Sequence, residues 1–335
     1  MKEIIEKLIN GLNLAPDEAE SAMQTIMSGK ATDAQIAAFL VALRIKGETP
    51  EEIAALAQVM RRFATAIRPE VSGTLVDTCG TGGDAAGTFN ISTASMFVVA
   101  GAGIPIAKHG NRSVSSKSGS ADVLESLGVN IAMAPEKVQE CIEKTGIGFM
   151  FAPGFHSAMK HVMPARRELG IRTVFNILGP LTNPANAKGQ VVGVYNAALT
   201  EKIAEVMNIL GVERAFVVHG EPGMDEISNV GKTKISELSK GKIKTYMITP
   251  EDFGVKRARM ADLAGADAKE NAKIITDILA GKDKGPKRDI VLLNAAAGIV
   301  AGKKAKTLKE GLEIARDSID SGKAYKKLEA MRKFC

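Results

Sequence analysis

Asp77-Thr78-Cys79-Gly80-Thr81-Gly82-Gly83-Asp84 is the stretch that decides the fold of this chain. It starts at the end of a short β-rich run, residues 75–77, which predicts a strand followed by a glycine-rich loop. Three glycines within four positions permit positive φ angles and let backbone N–H groups approach an anion closely. A glycine-rich turn without a ligand is the alternative for this loop taken alone.

Two familiar nucleotide-binding motifs are excluded for this loop. No Gly-Lys-Ser or Gly-Lys-Thr follows the glycines, so the loop is not a P-loop. The letters G-x-G-x-x-A run from Gly80 to Ala85, as in a dinucleotide-binding fingerprint. That fingerprint requires an acid about 20 residues further on. No Asp or Glu lies between Asp84 and Asp122, which excludes it.

Beyond this loop the chain alternates between strand-like and helical segments. Further β-rich runs occupy residues 104–107, 148–152, 191–195 and 215–219. This alternation predicts an α/β domain with a mainly parallel sheet flanked by helices. Residues 264–281, 288–302 and 307–333 are predicted to close the chain as helices.

The first 70 residues show helical signals and no strand. Thr32 with Gln35 and Thr49 with Glu52 form two capping boxes. We therefore expect a small all-helical domain, residues 1–70, before an α/β domain, residues 71–335. Residues 155–170 are also predicted to be helical and to pack back onto the first domain.

Composition narrows the class of protein. The chain of 335 residues carries a net charge of +6, which suits an anionic substrate but also an ordinary surface. Aromatic residues make up only 4% and tryptophan is absent, which argues against nucleic-acid binding. No apolar run reaches the roughly 18 residues of a membrane span, and the start lacks a signal-peptide core, so we expect a cytoplasmic protein. Three widely spaced cysteines argue against a disulfide framework or a zinc site.

Three more polar segments follow predicted strands or begin helices. Residues 88–93 offer hydroxyl and amide side chains at a helix start, where they can cap the helix or frame an anion site. Residues 108–116 combine two cations with hydroxyls after a strand end, either as a ligand loop or as a polar surface loop. Asp225 and Glu226 form an acidic pair, which suits Mg²⁺ although such a pair alone is usually a solvated turn.

The order and wording of these motifs resemble the anthranilate phosphoribosyltransferase family. The resemblance rests on DTCGTGGD, FNIST, KHGNRSVSSKSGSADVLESLG, FHSAMKHVMPARRELGIRTVFNILGPLTNP and VHGEPGMDEIS, and it spans nearly the whole chain. It implies transfer of the phosphoribosyl group of phosphoribosyl pyrophosphate (PRPP) to the amine of anthranilate, in tryptophan biosynthesis. It also implies Mg²⁺ dependence and a homodimer, with the site of each subunit between its two domains.

The resemblance assigns roles to individual residues. Those implied to bind PRPP are Gly80, Gly83, Asp84, Thr88, Asn90, Ile91, Ser92, Thr93, Lys108, His109, Gly110, Asn111, Arg112, Ser113, Val114, Ser115, Ser116 and Ser120. Those implied to bind anthranilate are Gly80, Asn111 and Arg166, and those implied to bind Mg²⁺ are Ser92, Asp225 and Glu226.

The expected chemistry is a dissociative displacement with inversion, stabilised electrostatically and without a covalent enzyme intermediate. No convincing general base is found, and His109 is either a helper or a plain loop residue. Cys79 lacks a neighbouring base and is not expected to be a nucleophile. Two alternatives are a pyrimidine nucleoside phosphorylase of the same fold and a nonenzymatic nucleic-acid-binding relative. The acidic pair Asp225 and Glu226 argues against both.

Overall fold

Four helices open the chain and pack against one another. The computed structural model describes residues 1–84, 86–113 and 117–334. The helices are α1 (Lys2–Ile9), α2 (Pro16–Met27), α3 (Asp33–Lys46) and α4 (Pro50–Phe63). Both predicted capping boxes are confirmed, since Thr32 Oγ1 accepts from the Gln35 N–H at 3.3 Å and Thr49 Oγ1 from the Glu52 N–H at 3.2 Å. Each cap satisfies a helical N–H that would otherwise lack an acceptor.

A seven-stranded sheet forms the centre of the second part of the chain. Its strands are β1 (Val76–Gly80), β2 (Ile106–Gly110), β3 (Ile147–Phe151), β4 (Gly189–Gly193), β5 (Arg214–Gly220), β6 (Thr233–Ser239) and β7 (Lys242–Ile248). Their order across the sheet is β3-β2-β1-β4-β5-β6-β7. The first five pair in parallel, whereas β6 and β7 pair antiparallel. The expected mainly parallel sheet is confirmed.

Helices cover the sheet and fill the connections between its strands. They are α5 (Ile91–Gly101), α6 (Ser120–Ser126), α7 (Pro135–Thr145), α8 (Ala152–Phe155), α9 (Met163–Leu169), α10 (Phe175–Leu178), α11 (Leu199–Ile209), α12 (Ala268–Leu279), α13 (Pro286–Ala301), α14 (Leu308–Asp320) and α15 (Lys323–Phe334). Short 3₁₀ helices lie at Ser157–His161, Gly179–Leu181, Pro250–Phe253 and Met260–Leu263. Within the part of the chain that the structure describes, no helix is both long and apolar enough to cross a membrane.

Two strand limits differ from those expected. β1 continues to Gly80 and β2 to Gly110, so half of the first predicted loop and the start of the second are in fact strand. Gly80 pairs with Gly193 of β4, and Gly110 with Phe151 of β3. Backbone pairing with neighbours decides these ends, whatever side chain the residue carries.

The sequence pattern did not predict the hairpin formed by β6 and β7. Its strands are rich in lysine and other polar residues, and β7 is largely exposed, so they lack the apolar signal of a buried strand. The turn at Lys240 and Gly241 has positive φ at both residues, 51° and 76°. Such a turn joins two antiparallel strands. In the sequence, the Lys-Gly pair between two segments of alternating polarity could have indicated it.

The segment 155–170 packs against the helical bundle and forms a 3₁₀ helix followed by α9 rather than one helix. Val162 and Ala165 are buried in the same apolar core as Phe39 and Leu43 of α3. This core continues onto one face of the sheet, for example through Val192. Because the two parts share a core, the division of the chain at residue 70 stays a proposal.

Candidate active site

The carboxyl ends of four parallel strands meet at one edge of the sheet. β1, β2, β4 and β5 end there in Gly80, Gly110, Gly193 and Gly220. Ligands of open α/β sheets bind at this edge. The structure brings the glycine-rich loop, the start of α5, the end of β2 and the acidic pair together here, although they are up to about 150 residues apart in sequence.

The glycine-rich loop lies directly on the carboxylate of Asp225. The Gly82 N–H donates to Asp225 Oδ2 at 2.9 Å, and the Asp225 N–H donates to Asp84 Oδ2 at 3.4 Å. A Cβ at Gly80 would collide with that carboxylate. Glycine is therefore required at position 80 for the acid to reach the loop.

The N-terminus of α5 faces the second acid. The Ser92 N–H donates to Glu226 Oε1 at 3.0 Å. Asn90 occupies the N-cap position, but its side chain does not cap the helix. Instead its Nδ2 donates to the Ser118 carbonyl at 3.0 Å, and its Oδ1 accepts from Asn271 at 3.0 Å. The positive end of α5 is thus left to anionic partners.

Neighbouring residues complete the start of α5. Ile91 and Thr93 are buried in its first turn, and Thr93 Oγ1 has no hydrogen-bond partner among the described residues. Thr88 lies just upstream and forms an isolated β-bridge with Ala264. All three were implied to contact PRPP, and these contacts stay predictions.

Lys108 provides a positive charge beneath the site. Its side chain is buried, with 1% exposed, and its ammonium donates to the Thr78 carbonyl and to Ser92 Oγ, the latter at 3.4 Å. In this conformation the ammonium binds protein atoms. Its contact with PRPP stays a prediction, and the described geometry supports a role in holding β1 and α5 together.

Asp77 is a buried carboxylate whose importance the sequence analysis missed. It accepts from the His109 N–H at 3.3 Å and from Asn183 Nδ2 at 2.7 Å. Burial raises its pKa to about 6, an effect that the nearby Lys108 charge opposes. The side chain thus links β1, β2 and the 179–188 loop. In the sequence, only its position as the first residue of the glycine-rich motif could have indicated a role for Asp77.

The acidic pair carries poorly compensated negative charge. Burial, and then repulsion by Asp84, raises the pKa of Asp225 to about 7. Burial, and then repulsion by Asp225, raises the pKa of Glu226 well above its usual range. Carboxylates that resist ionisation in this way are stabilised by a cation between them.

The oxygen donors fit Mg²⁺. Asp225, Glu226 and the Ser92 hydroxyl are hard ligands on adjacent segments. Among the described residues, no group of three or more His, Cys, Asp or Glu side chains is arranged to hold a metal. Mg²⁺ is usually bound through one or two carboxylates, with water and substrate phosphate as the other ligands, so Asp225, Glu226 and the Ser92 hydroxyl fit it in chemistry.

The described part of the loop after β2 makes contacts with the start of α6. Arg112 makes ion pairs with Asp122 at 2.8 Å and Glu125 at 2.9 Å, and Ser120 Oγ donates to the Asn111 carbonyl at 3.2 Å. The Ser113 N–H donates to Asp122 Oδ2 at 3.0 Å. The remaining implied PRPP contacts of this loop, Val114, Ser115 and Ser116, lie outside the described residues.

Arg166 and Arg167 point in different directions from α9. Arg166 is half-buried, and its guanidinium lies 5.3 Å from the centre of the Phe175 ring. Burial lowers its pKa, and no described carboxylate lies within ion-pair distance of it. Arg167 is exposed. Of these two neighbouring arginines, only Arg166 is half-buried.

His109 is a weak base, and Cys79 is a weak nucleophile, in the environment that this structure gives them. Burial, and then the nearby His156 ring at 5.0 Å, lowers the pKa of His109 to about 3, so its imidazole is neutral. Its Nε2 has no hydrogen-bond partner among the described residues. Burial, and then the Asp77 charge, raises the pKa of Cys79, which keeps the thiol protonated.

Known proteins resemble this chain in both sequence and fold. Residues 2–64 match the glycosyl transferase family, helical bundle domain, and residues 72–325 match the glycosyl transferase family, a/b domain. Fold and site thus define a two-domain glycosyltransferase. Over 334 residues the chain is 57% identical to the anthranilate phosphoribosyltransferase of Acetivibrio thermocellus, covering 100% of this chain and 96% of that protein. The chain belongs to the anthranilate phosphoribosyltransferase family.

Solved structures agree with this assignment. The anthranilate phosphoribosyltransferase of Thermus thermophilus superimposes with a TM-score of 0.94 at 46% identity, covering 99% of this chain and 98% of that one. The enzyme of Saccharomyces cerevisiae, in complex with PRPP and Mg, superimposes with a TM-score of 0.89 at 30% identity, covering 99% and 96%. The yeast enzyme has also been solved with 4-fluoroanthranilate.

Proposed function

We propose that this protein transfers the 5-phosphoribosyl group of PRPP to the amine of anthranilate, giving N-(5-phosphoribosyl)anthranilate and pyrophosphate, in tryptophan biosynthesis. One observation carries this conclusion. A glycine-rich loop, an uncapped helix N-terminus and two carboxylates converge at one sheet edge, joined by the hydrogen bonds of Gly82 to Asp225 and of Ser92 to Glu226. This combination suits a polyanionic substrate that binds together with a divalent cation.

The protein holds the pyrophosphate end through main-chain donors. The start of α5 and the loop 80–84 would supply N–H groups, of which those of Ser92 and Gly82 donate to Glu226 and Asp225 in this structure. Asp225 and Glu226, with the Ser92 hydroxyl, would hold Mg²⁺. The bound ion would neutralise charge that develops on the departing pyrophosphate.

The anthranilate end requires positioning rather than proton abstraction. Arg166 provides a cation without an acidic partner among the described residues, and a guanidinium matches a carboxylate in shape and charge. Asn111 and Gly80 are proposed as its neighbours at the amine. A pKa of about 3 makes His109 a weak base, so the neutral amine attacks without a strong protein base. His109 remains available as a neutral hydrogen-bonding group.

The acidic pair provides the decisive test. Replacing Asp225 with Asn and Glu226 with Gln together is expected to lower kcat/KM at least about a hundredfold, because the pyrophosphate charge would lose its counter-ion. The assay follows the loss of anthranilate fluorescence in the presence of PRPP and Mg²⁺, and a chelator should reproduce the defect in the unmodified protein. Glu205→Gln, an exposed acid on α11, is the control. Full activity of the double variant at limiting Mg²⁺ would disprove the metal assignment.

We further propose a homodimer that assembles through the helical bundle and acts in the cytoplasm. Leu12, Ile45 and Ile171 expose 54%, 81% and 47% of their surfaces. Lys46 bonds to Asn13 at 2.9 Å, and Arg44 bonds to the Arg172 carbonyl, so the three apolar residues belong to neighbouring segments. Burying such a patch against a second copy is favourable. The free thiol of Cys79 fits a reducing compartment.

A further inference from the structure

Arg172 connects the helical bundle to the tip of the glycine-rich loop. It lies in the segment between α9 and α10, which packs with the bundle. Its guanidinium Nη2 donates to the Gly83 carbonyl, and its Cζ lies 4.2 Å from the centre of the Tyr195 ring. Its own carbonyl accepts from the guanidinium of Arg44 on α3. Contacts therefore run from α3 through Arg172 to the loop.

The loop needs such an anchor. Gly82 and Gly83 have φ of 65° and 70°, and glycine visits these and many other conformations at similar cost. On its inner side the loop is held by the bond from the Gly82 N–H to Asp225. Arg172 holds the opposite side, at the Gly83 carbonyl. In a trans peptide the C=O and N–H groups point in opposite directions, so this bond turns the Asp84 N–H away from Arg172.

The ring of Tyr195 packs against the guanidinium of Arg172. Its ring lies under Arg172, and its N–H donates to Thr81 Oγ1 at 3.1 Å. Tyr195 therefore touches both the anchor and the start of the loop. Stacking of a guanidinium on an aromatic ring restricts its orientation. No carboxylate pairs with Arg172 among the described residues, so stacking and the Gly83 bond decide where it points.

We propose that Arg172 is a positioning residue that holds the glycine-rich loop in its PRPP-binding shape and couples that shape to the position of the helical bundle. It acts through the Gly83 carbonyl and does not itself perform chemistry. This proposal rests on the proposed function for its kinetic consequence, but its effect on the loop is independent of any substrate.

Two measurements on Arg172→Ala test the proposal. Without substrates, amide hydrogen exchange of residues 81–84 is expected to speed up about tenfold, because one charge-assisted bond to the loop is lost. In steady-state kinetics the KM for PRPP is expected to rise about tenfold, while kcat and the KM for anthranilate change less than about twofold. Arg172→Lys, which keeps a donor but not the planar stack, should recover part of both effects.

Three further variants sharpen the comparison. Arg44→Ala and Tyr195→Leu should change exchange and the KM for PRPP in the same direction but less. Arg167→Ala removes an exposed arginine five positions away and should change neither. If Arg172→Ala does not fold, as judged by circular dichroism, Arg172→Lys and Tyr195→Leu decide the question by the same readouts.

The possible outcomes distinguish failure of the positioning role of Arg172 from failure of the proposed function. Unchanged loop exchange in a folded Arg172→Ala protein would overturn the positioning role, as would a rise in the KM for anthranilate alone. An unmodified protein that shows no phosphoribosyl transfer would overturn the proposed function. Faster loop exchange in the Arg172→Ala variant would then still support the anchor.

Discussion

At the scale of single residues, Arg166 and Arg167 show how one helical position separates two identical side chains. Arg166→Ala is expected to raise the KM for anthranilate about tenfold to a hundredfold, because a charge-assisted contact with its carboxylate is lost. The KM for PRPP should change little, since the PRPP loops lie elsewhere. Arg167→Ala should be milder on both, because that side chain is exposed. Steady-state kinetics check this, and equal losses for both substrates would place the anthranilate site elsewhere.

Asp225 makes stability depend on pH in the metal-free protein. Its pKa is raised from 3.8 to about 7, chiefly by burial. A raised carboxyl pKa stabilises the folded state fully below pH 3.8, and this contribution is lost as pH rises through about 7. Asp225→Asn, which imitates the protonated acid, should therefore raise the Tm more at pH 8 than at pH 5, where the contribution of the acid is only partly lost.

Thermal unfolding with a chelator present measures this effect, with Glu205→Gln as the control. Adding Mg²⁺ should stabilise the unmodified protein more than Asp225→Asn, because the variant has lost a ligand. If the Asp225→Asn variant is less stable than the unmodified protein at pH 8 without metal, the raised pKa of Asp225 is contradicted.

At the scale of elements, α4 is held to its neighbours by a buried acid. Glu52 is fully buried and accepts from the Leu14 N–H at 2.8 Å and from Lys46 Nζ at 2.8 Å. Glu52→Gln leaves the Lys46 charge, 3% exposed, without its partner. Loss of one partner of a buried pair should lower the free energy of unfolding by about 3 kcal/mol. Urea denaturation measures it, and the exposed neighbour variant Glu51→Gln should change it by less than about 0.5 kcal/mol.

The glycine-rich segment and α5 show at the same scale what an element contributes to a site. Strand β1 ends at Gly80, where its parallel neighbours also end, so the loop is placed at the sheet edge by pairing. Helix α5 presents its N-terminus there because Asn90 bonds to Ser118 and Asn271 instead of capping it. In this structure the N-terminus of α5 meets a carboxylate, because the Ser92 N–H donates to Glu226 Oε1 at 3.0 Å.

At the scale of the whole molecule, the exposed apolar residues Leu12, Ile45 and Ile171 are the proposed dimer interface. Ile45→Glu places a charge in the most exposed apolar side chain of Leu12, Ile45 and Ile171 and should convert the proposed homodimer to a monomer. Sedimentation or light scattering measures the mass. Gln24→Glu, at an exposed position on α2, changes the net charge by the same one unit and is the control. A dimer that persists in Ile45→Glu at micromolar concentration would place the interface elsewhere.

The sequence by itself determined the local features of this protein. Capping boxes specified α3 and α4, and alternation of β-rich and helical segments specified a parallel sheet, because both depend on residues close together in the chain. The long motifs indicated the family, and the fold and comparisons confirmed it. The residue roles that the resemblance implied stay predictions until they are tested.

Tertiary structure alone decided the contacts between distant segments. Nothing near Arg172 in the chain indicates that it meets Gly83, nor does anything near Asp77 indicate Asn183. The raised pKa values of Asp225 and Glu226 likewise depend on tertiary structure. Burial raises both, repulsion by Asp84 adds to that of Asp225, and repulsion by Asp225 adds to that of Glu226. The sequence did not predict the β6–β7 hairpin either, because its pairing with β5 joins it to the sheet although its strands are largely polar in sequence. Such contacts arise from packing across the sheet, which the order of residues along the chain does not display.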